Sequence, residues 1–164
     1  MPDTAPLVAV LMGSASDAPV MEPCLEVLRQ FSIPFEVRVL SAHRTPQETA
    51  AFVSGAETRG MQVIIAAAGM AAHLAGACAA QTTLPVIGIP VASGPLNGQD
   101  ALLSTVMMPP GMPVATVAIN GAANAGHLAA QILALSRPEL KEQLKAGRAK
   151  MREKVLEQDA GLRR

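Results

Sequence analysis

The sequence predicts an α/β fold built on a doubly wound, mostly parallel sheet, and three observations predict it. Five short apolar runs alternate with five amphipathic segments along the chain. The runs are almost continuously apolar, as strands covered on both faces are. Turn-forming residues separate the two kinds of segment, with Gly60 closing the second helix and Ile33-Pro34 entering the second strand. Parallel strands joined this way use right-handed crossovers.

In chain order, the first strand, 7–12, is an unbroken apolar run that stops at Gly13, and an amphipathic helix follows over 18–31. The second run, 35–40, reads as a buried strand. Thr45-Pro46 then reads as the N-cap and first position of a helix over 46–59, with Glu48 in its first turn. The third strand, 63–68, passes through small residues into a helix over 71–81. A fourth strand at 86–89 precedes a helix at 100–107, and a fifth at 114–119 precedes a helix at 122–136. The last segment, 138–158, differs in kind, because charged residues surround a thin apolar stripe of Leu140, Leu144, Met151 and Val155. That spacing fits one narrow helix face, so a terminal helix should lie on the core or on a neighbouring subunit. Residues 159–164 are expected to fray. With no repeat or linker interrupting the series, the expectation is a single domain over 1–164 with its core at about 7–136.

Net charge is zero and the central basic residues are not clustered, so there is no electrostatic footprint for nucleic acid. Between Arg59 and Arg137 the only Asp, Glu, Lys or Arg is Asp100. A protomer of this size has too little interior to hide so long an uncharged stretch, which points to a homo-oligomer with an extensive interface. Residues 63–80 have some hydropathy, but Gly69, Gly76 and His73 interrupt them, and no membrane span is expected. Cys24 and Cys78 lie in apolar segments with no CxxC or Cys/His spacing, so buried free thiols in a reducing cytoplasm are expected. The N-terminal segment has no basic and apolar regions of the export type.

Ser41-Ala42-His43-Arg44-Thr45-Pro46 is the most informative stretch. It places a titratable base beside a permanent cation at a strand's carboxyl end, where open parallel sheets bind ligands and where a helix N-terminus favours anions. A phosphorylated small molecule is the first expectation. Gly13-Ser14-Ala15-Ser16-Asp17, after the first strand, offers backbone N–H groups and hydroxyls, with Gly13 allowing a tight turn; Asp17 is a candidate both to cap the first helix and to meet a ligand, roles that do not exclude each other. The loop has neither the G-x-G-x-x-G spacing of a dinucleotide site nor a Walker GK[ST]. Ala67 to Gly76 closes the third strand with small residues, Gly69 being the expected turn residue, and carries His73. His73 alone reads most simply as a structural histidine, and His127 more firmly so. Together the three loops fall at one sheet edge. No G-x-S-x-G elbow supports a serine hydrolase, and three isolated histidines form no metal set.

At these residues the sequence resembles class I N5-carboxyaminoimidazole ribonucleotide mutases, the PurE family of de novo purine synthesis, from about Val8 to Leu135. The motifs are Gly13 to Asp17, Ser41 to Pro46, Ala71 to Leu74, Asp100 to Ser104 and Met108 to Ile119. The resemblance implies a three-layer α/β/α sandwich of flavodoxin-like or Rossmann-like winding with a C-terminal helix. It also implies a cytoplasmic homo-octamer with shared active sites, acting on a small ribonucleotide without cofactor or metal. His43 matches the acid–base residue. Substrate contacts carry over to Ser14, Asp17 and Arg44, with Ser16, Ser41, Ala68, Gly69 and His73 behind them. Arg44 then meets the 5′-phosphate and Asp17 the ribose hydroxyls. This chain departs from the family at Ala18, where tryptophan is frequent, at Met70 for a second glycine, at Ala75 for proline and at Met107 for glutamine. Met70 matters most, because a bulky side chain there narrows the pocket or alters loop closure. A class II carboxylase using free CO2, and a noncatalytic phosphate- or nucleotide-binding module, are the alternatives.

Overall fold

The computed structural model describes residues 5–163. Five parallel strands form one sheet in the order β2-β1-β3-β4-β5: β1 is Val8–Met12, β2 Phe35–Val39, β3 Val63–Gly69, β4 Val86–Val91 and β5 Ala115–Thr116. The chain winds from β1 out to β2, then back past β1 to β3 and on to β5. Right-handed crossovers in opposite directions put helices on opposite faces of the sheet. α1 (Ala18–Gln30) and α5 (Ala122–Ala134) pack together on one face. α2 (Pro46–Ser54), α3 (Leu74–Ala79) and α4 (Gln99–Val106) cover the other, giving the expected three layers.

Strand alternation explains why the runs look uninterrupted. Val8, Val10 and Met12 of β1, with Val63, Ile65 and Ala67 of β3, face the α1/α5 layer, while Ala9, Leu11, Ile64 and Ala66 face the opposite layer. Both faces of the pleat are buried, so no polar alternation survives. Small residues let the layers approach: a Cβ on Gly126 of α5 would stand 3.0 Å from the Cys24 carbonyl of α1.

Several expectations are corrected. The second strand is an edge strand rather than a buried one, with Val37 and Val39 exposed, because nothing pairs beyond it. Its charged residues serve the other face, where Arg59 bonds Glu36 at 2.8 Å and stacks 4.2 Å from the Phe52 ring centroid. The fifth strand shrinks to two residues, because β5 is the other edge and Pro90 of β4 accepts from the Asn120 N–H but has no N–H to return. The second helix stops at Ser54, and a separate 3₁₀ turn, Glu57–Arg59, precedes left-handed Gly60. The third helix begins only at Leu74, because Met70 takes positive φ and residues 71–73 form tight turns.

α6 (Pro138–Leu162) continues four residues beyond the expected end, so 159–162 are helical rather than frayed; Arg164 lies outside the described residues. Its stripe is only partly used, with Leu140 buried and Leu144 packed against the core while Met151 and Val155 stay exposed. Among the described residues, no helix is long and apolar enough to cross a membrane.

Candidate active site

The order β2-β1-β3 makes the crevice beyond the carboxyl ends of β1 and β3 the point where the winding reverses, and that is where such sheets take ligands. There the loops after β1, β2, β3 and β4 enclose a pocket of about 470 Å³, within the range of small-molecule sites. Ser14, Ser16, Asp17, Ser41, His43, Arg44, Ala68, Gly69 and His73, every site residue expected from sequence, line it. A larger cavity of about 860 Å³ opens near the amino ends of β4 and β5, but Glu57 is its only ionisable lining residue. Convergent chemistry, not size, selects the first.

In the loop after β1, Ser14 rather than Asp17 does the capping. Its hydroxyl oxygen accepts from the Ser16 N–H at 3.3 Å and from the Ser16 hydroxyl at 2.8 Å, starting a 3₁₀ turn over Ala15–Asp17. Asp17 occupies the N-cap position of α1 but makes no side-chain cap bond. Its carboxylate faces the pocket region instead, and partial burial raises its pKa above 3.8, opposed by the Ser14 backbone N–H, the Ser16 hydroxyl and the Arg44 charge. Gly13 makes no left-handed turn; its carbonyl has another use.

In the loop after β2, Ser41 and Thr45 fold the chain on itself. The Ser41 N–H donates to Thr45 Oγ1 at 2.8 Å, and Thr45 Oγ1 donates to the Ser41 carbonyl at 3.1 Å. Thr45 therefore holds the loop and does not cap α2 with its side chain, although Pro46 starts that helix as expected. The Ser41 hydroxyl accepts the Arg44 N–H at 3.2 Å. Arg44 then reaches across to donate from Nη2 to the Gly13 carbonyl at 2.7 Å, tying the β1 and β2 loops together. A guanidinium fixed by one bond keeps its remaining donors arranged for a planar or tetrahedral anion.

His43 and His73, thirty residues apart in sequence, meet at 2.7 Å between Nε2 of His43 and Nδ1 of His73, with their rings edge to face. One ring donates the shared hydrogen and the other accepts it, so the pair holds two imidazoles in one proton-transfer unit. Reading His73 alone as structural misses this, because only the β2-β1-β3 order brings the loops after β2 and β3 together around the end of β1. His127 keeps its structural reading, standing edge-on to Phe31 with ring centroids 5.7 Å apart.

Two features of the pocket were not legible beforehand. Ser93, from the loop after β4, is a lining residue. A Cβ on Gly69 would collide with the Ser93 Oγ and stand 3.2 Å from the Val91 carbonyl, so Gly69 is needed for close approach while Met70, at φ 54°, makes the turn. The position of Ser93 after a parallel strand was the available signal. Cys24 and Cys78 are both buried free thiols, each pushed up to about 12 by burial, and neither touches this pocket.

The geometry agrees with the chain's relatives. The family model described as AIR carboxylase matches residues 7–154. A protein of Pyrococcus horikoshii named N5-carboxyaminoimidazole ribonucleotide mutase is 51% identical over 157 residues, covering 96% of this chain and 89% of that protein. One of the same name from Mycobacterium tuberculosis strain H37Rv is 52% identical over 159 residues, covering 97% of this chain and 91% of its own length. The crystal structure of Treponema denticola PurE superposes with a TM-score of 0.88 at 31% identity, over 97% of this chain and 99% of that one. With the family model spanning most of the sequence and the pocket placed where its motifs converge, the chain belongs to the AIR carboxylase family.

Proposed function

We propose that this chain is an N5-carboxyaminoimidazole ribonucleotide mutase of purine biosynthesis, an isomerase that moves a carboxylate from the exocyclic nitrogen of the aminoimidazole to ring carbon C4. The observation that carries the proposal is the His43–His73 pair set in the same pocket as the anchored Arg44. One end offers a proton shuttle and the other a cation for a phosphate. The names borne by relatives about half identical over nearly the whole chain support the same reading.

In the proposed reaction, protonated His43 gives its proton to the exocyclic nitrogen as the N–C bond breaks, leaving aminoimidazole ribonucleotide and CO2. C4 of the electron-rich ring attacks that CO2, and neutral His43 then takes the C4 proton to restore aromaticity. Atoms and charge balance without cofactor or metal. His73 receives or supplies the hydrogen of the shared bond, so His43 changes protonation without losing its orientation. General acid–base assistance of this kind is worth about 10²–10⁴ in rate. Arg44 pairs with the 5′-phosphate, and Asp17 accepts from ribose hydroxyls, since its carboxylate would repel the phosphate. Ser14, Ser16, Ser41, Ala68 and Gly69 complete the contacts.

The same reading makes the protein a single cytoplasmic domain that assembles as a homo-octamer. Buried reduced thiols support the compartment. Exposed Leu96, Leu103, Val106, Met107 and Met112, all in the uncharged half, support the assembly.

The test is product formation from synthetic N5-carboxyaminoimidazole ribonucleotide beside aminoimidazole ribonucleotide plus bicarbonate, with no ATP or metal. Rapid conversion of the first, with the second requiring very high bicarbonate, is expected. Efficient use of the second alone moves the enzyme to class II, and no turnover of either leaves a binding module.

A further inference from the structure

Four serines line the pocket, and three of them are already engaged within their own loops. Ser14 and Ser16 bond each other at 2.8 Å, and the Ser41 hydroxyl accepts the Arg44 N–H at 3.2 Å. Ser93, on the loop after β4, is the fourth. Among the described residues its hydroxyl neither donates nor accepts a hydrogen bond, and it stays open to the pocket. It therefore keeps one donor and two acceptor sites for whatever fills the pocket.

The position of this free hydroxyl is nevertheless built. Ser93 stands two residues past Val91, the last residue of β4, which is paired with Gly69 of β3. Between them, Ala92 donates its N–H to Asn120 Oδ1 at 2.8 Å, and the Asn120 N–H donates to the Pro90 carbonyl at 2.8 Å. Asn120 makes both bonds from the left-handed region at φ 56°, which asparagine enters more readily than most residues. On the other side, the Ser93 side chain fills the space that a Cβ on Gly69 would need. Two neighbouring loops are thus shaped around one unused hydroxyl.

Its chemistry follows from where it stands. Arg44 and His43 share the β2 loop but face different ways: the guanidinium bonds the Gly13 carbonyl at the end of β1, and the imidazole meets His73 of the β3 loop. β4 lies beyond β3, so Ser93 adjoins the histidine side of the pocket, away from the anchored cation. β1 and β4 are two strand spacings apart, about 10 Å, comparable with the reach of a ribonucleotide from its phosphate to the substituents on its ring. With the phosphate on Arg44, those substituents come to Ser93. Among them a carboxylate draws a hydroxyl donor most strongly, because a charged acceptor makes the stronger bond.

We infer that Ser93 is a specificity residue for the migrating group: its hydroxyl donates to the carboxylate, on the exocyclic nitrogen in the substrate and on C4 in the product, and Asn120 is the positioning residue that holds the Ser93 loop. This rests on the mutase reading and names a contact that separates carboxylated ligands from aminoimidazole ribonucleotide. A group that grips substrate and product alike acts on KM more than on kcat.

The experiment is calorimetric titration of the full-length His43→Asn protein, chosen to slow turnover, with 4-carboxy-5-aminoimidazole ribonucleotide and with aminoimidazole ribonucleotide. It is repeated with Ser93→Ala or Asn120→Ala added. Ser93→Ala should raise the Kd of the carboxylated ligand about tenfold to a hundredfold and leave that of aminoimidazole ribonucleotide within about twofold. Asn120→Ala, which unpins the loop, should show the same selectivity of loss. A merely structural role for Ser93 would weaken both ligands alike. Such a parallel loss, or an unchanged Kd for the carboxylated ligand, overturns the inference, and either result in Asn120→Ala alone removes the part given to Asn120. Turnover of N5-carboxyaminoimidazole ribonucleotide by the wild type is measured beside the titrations. Conversion keeps the mutase reading standing whatever Ser93→Ala does, and a wild type that does not convert it removes that reading and this inference together.

Discussion

At the scale of single residues, the proposed site divides its work between a cation anchored on Gly13 and a hydrogen shared by two histidines. His43→Asn should bind substrate and lose turnover by about 10²–10⁴, because amide nitrogen cannot exchange a proton near neutrality. Steady-state kinetics beside direct titration of ligand decide this, and a near-wild-type kcat removes His43 from its role. Arg44→Ala loses the Gly13 tie and, on the proposed reading, the phosphate partner, so its KM should rise at least about tenfold with a smaller change in kcat. Asp17 gives a pH-dependent prediction. Its folded-state pKa is raised above 3.8, chiefly by burial, so the folded protein binds more protons than the unfolded chain between 3.8 and the raised value. Stability therefore falls as pH rises through that window, and the ionised carboxylate remains a burden at neutral pH. Asp17→Asn should gain in urea midpoint over wild type as pH climbs from about 4, then level off, while ligand affinity drops. A difference independent of pH, at fixed protein concentration, would contradict the burial argument.

At the scale of elements, every strand and helix of the series appears where the hydrophobic pattern put it, and the departures have local causes. Edge strands β2 and β5 look like core strands in sequence, because apolar composition does not state how many neighbours a strand has. Polar Glu36 and Arg38 were the available hint for β2, and Pro90 opposite β5 was the hint for its shortness. The turn after β3 is the most informative case. Glycine at 69 is demanded by the Ser93 side chain rather than by a dihedral angle, while Met70 takes the left-handed turn. Gly69→Ala should destabilise the protein by about 1–3 kcal/mol through the Cβ–Ser93 collision. Ser93→Gly in the same chain should recover part of that loss, since it removes the colliding atoms but leaves the Val91 carbonyl. Urea unfolding of the four members of the cycle is the measurement, and an additive double variant would show that Ser93 is not the obstacle.

At the scale of the whole molecule, exposed apolar surface gathers where the proposed assembly would cover it. Leu103 and Met107 are 60% and 77% exposed on and just after α4, in the half of the chain that carries Asp100 as its only charge from 60 to 136. Such a surface is costly in water and is normally covered by a partner. Leu103→Glu with Met107→Glu places two like charges there and should shift the protein toward smaller species in light scattering after size exclusion, with the pocket-lining residues untouched. A mass distribution unchanged from wild type would remove this face from the interface. The helices and strands supply the frame for this, and the order β2-β1-β3 supplies the site, since it brings loops from distant parts of the chain to one edge.

By itself the sequence determined the fold class, the succession of elements and the identity of the polar loops. Those properties depend on local patterning and on a rule that parallel sheets share: ligands gather at the carboxyl ends of the strands. Only the tertiary structure decided that His43 and His73 share a hydrogen at 2.7 Å, that Arg44 is tied to the Gly13 carbonyl, that Asp17 makes no cap bond to its helix and that Met70 bears the turn. The reason is physical. Each of these depends on contacts between segments made neighbours by strand order, or on a dihedral angle imposed by packing, and neither is encoded in the periodicity of a single segment.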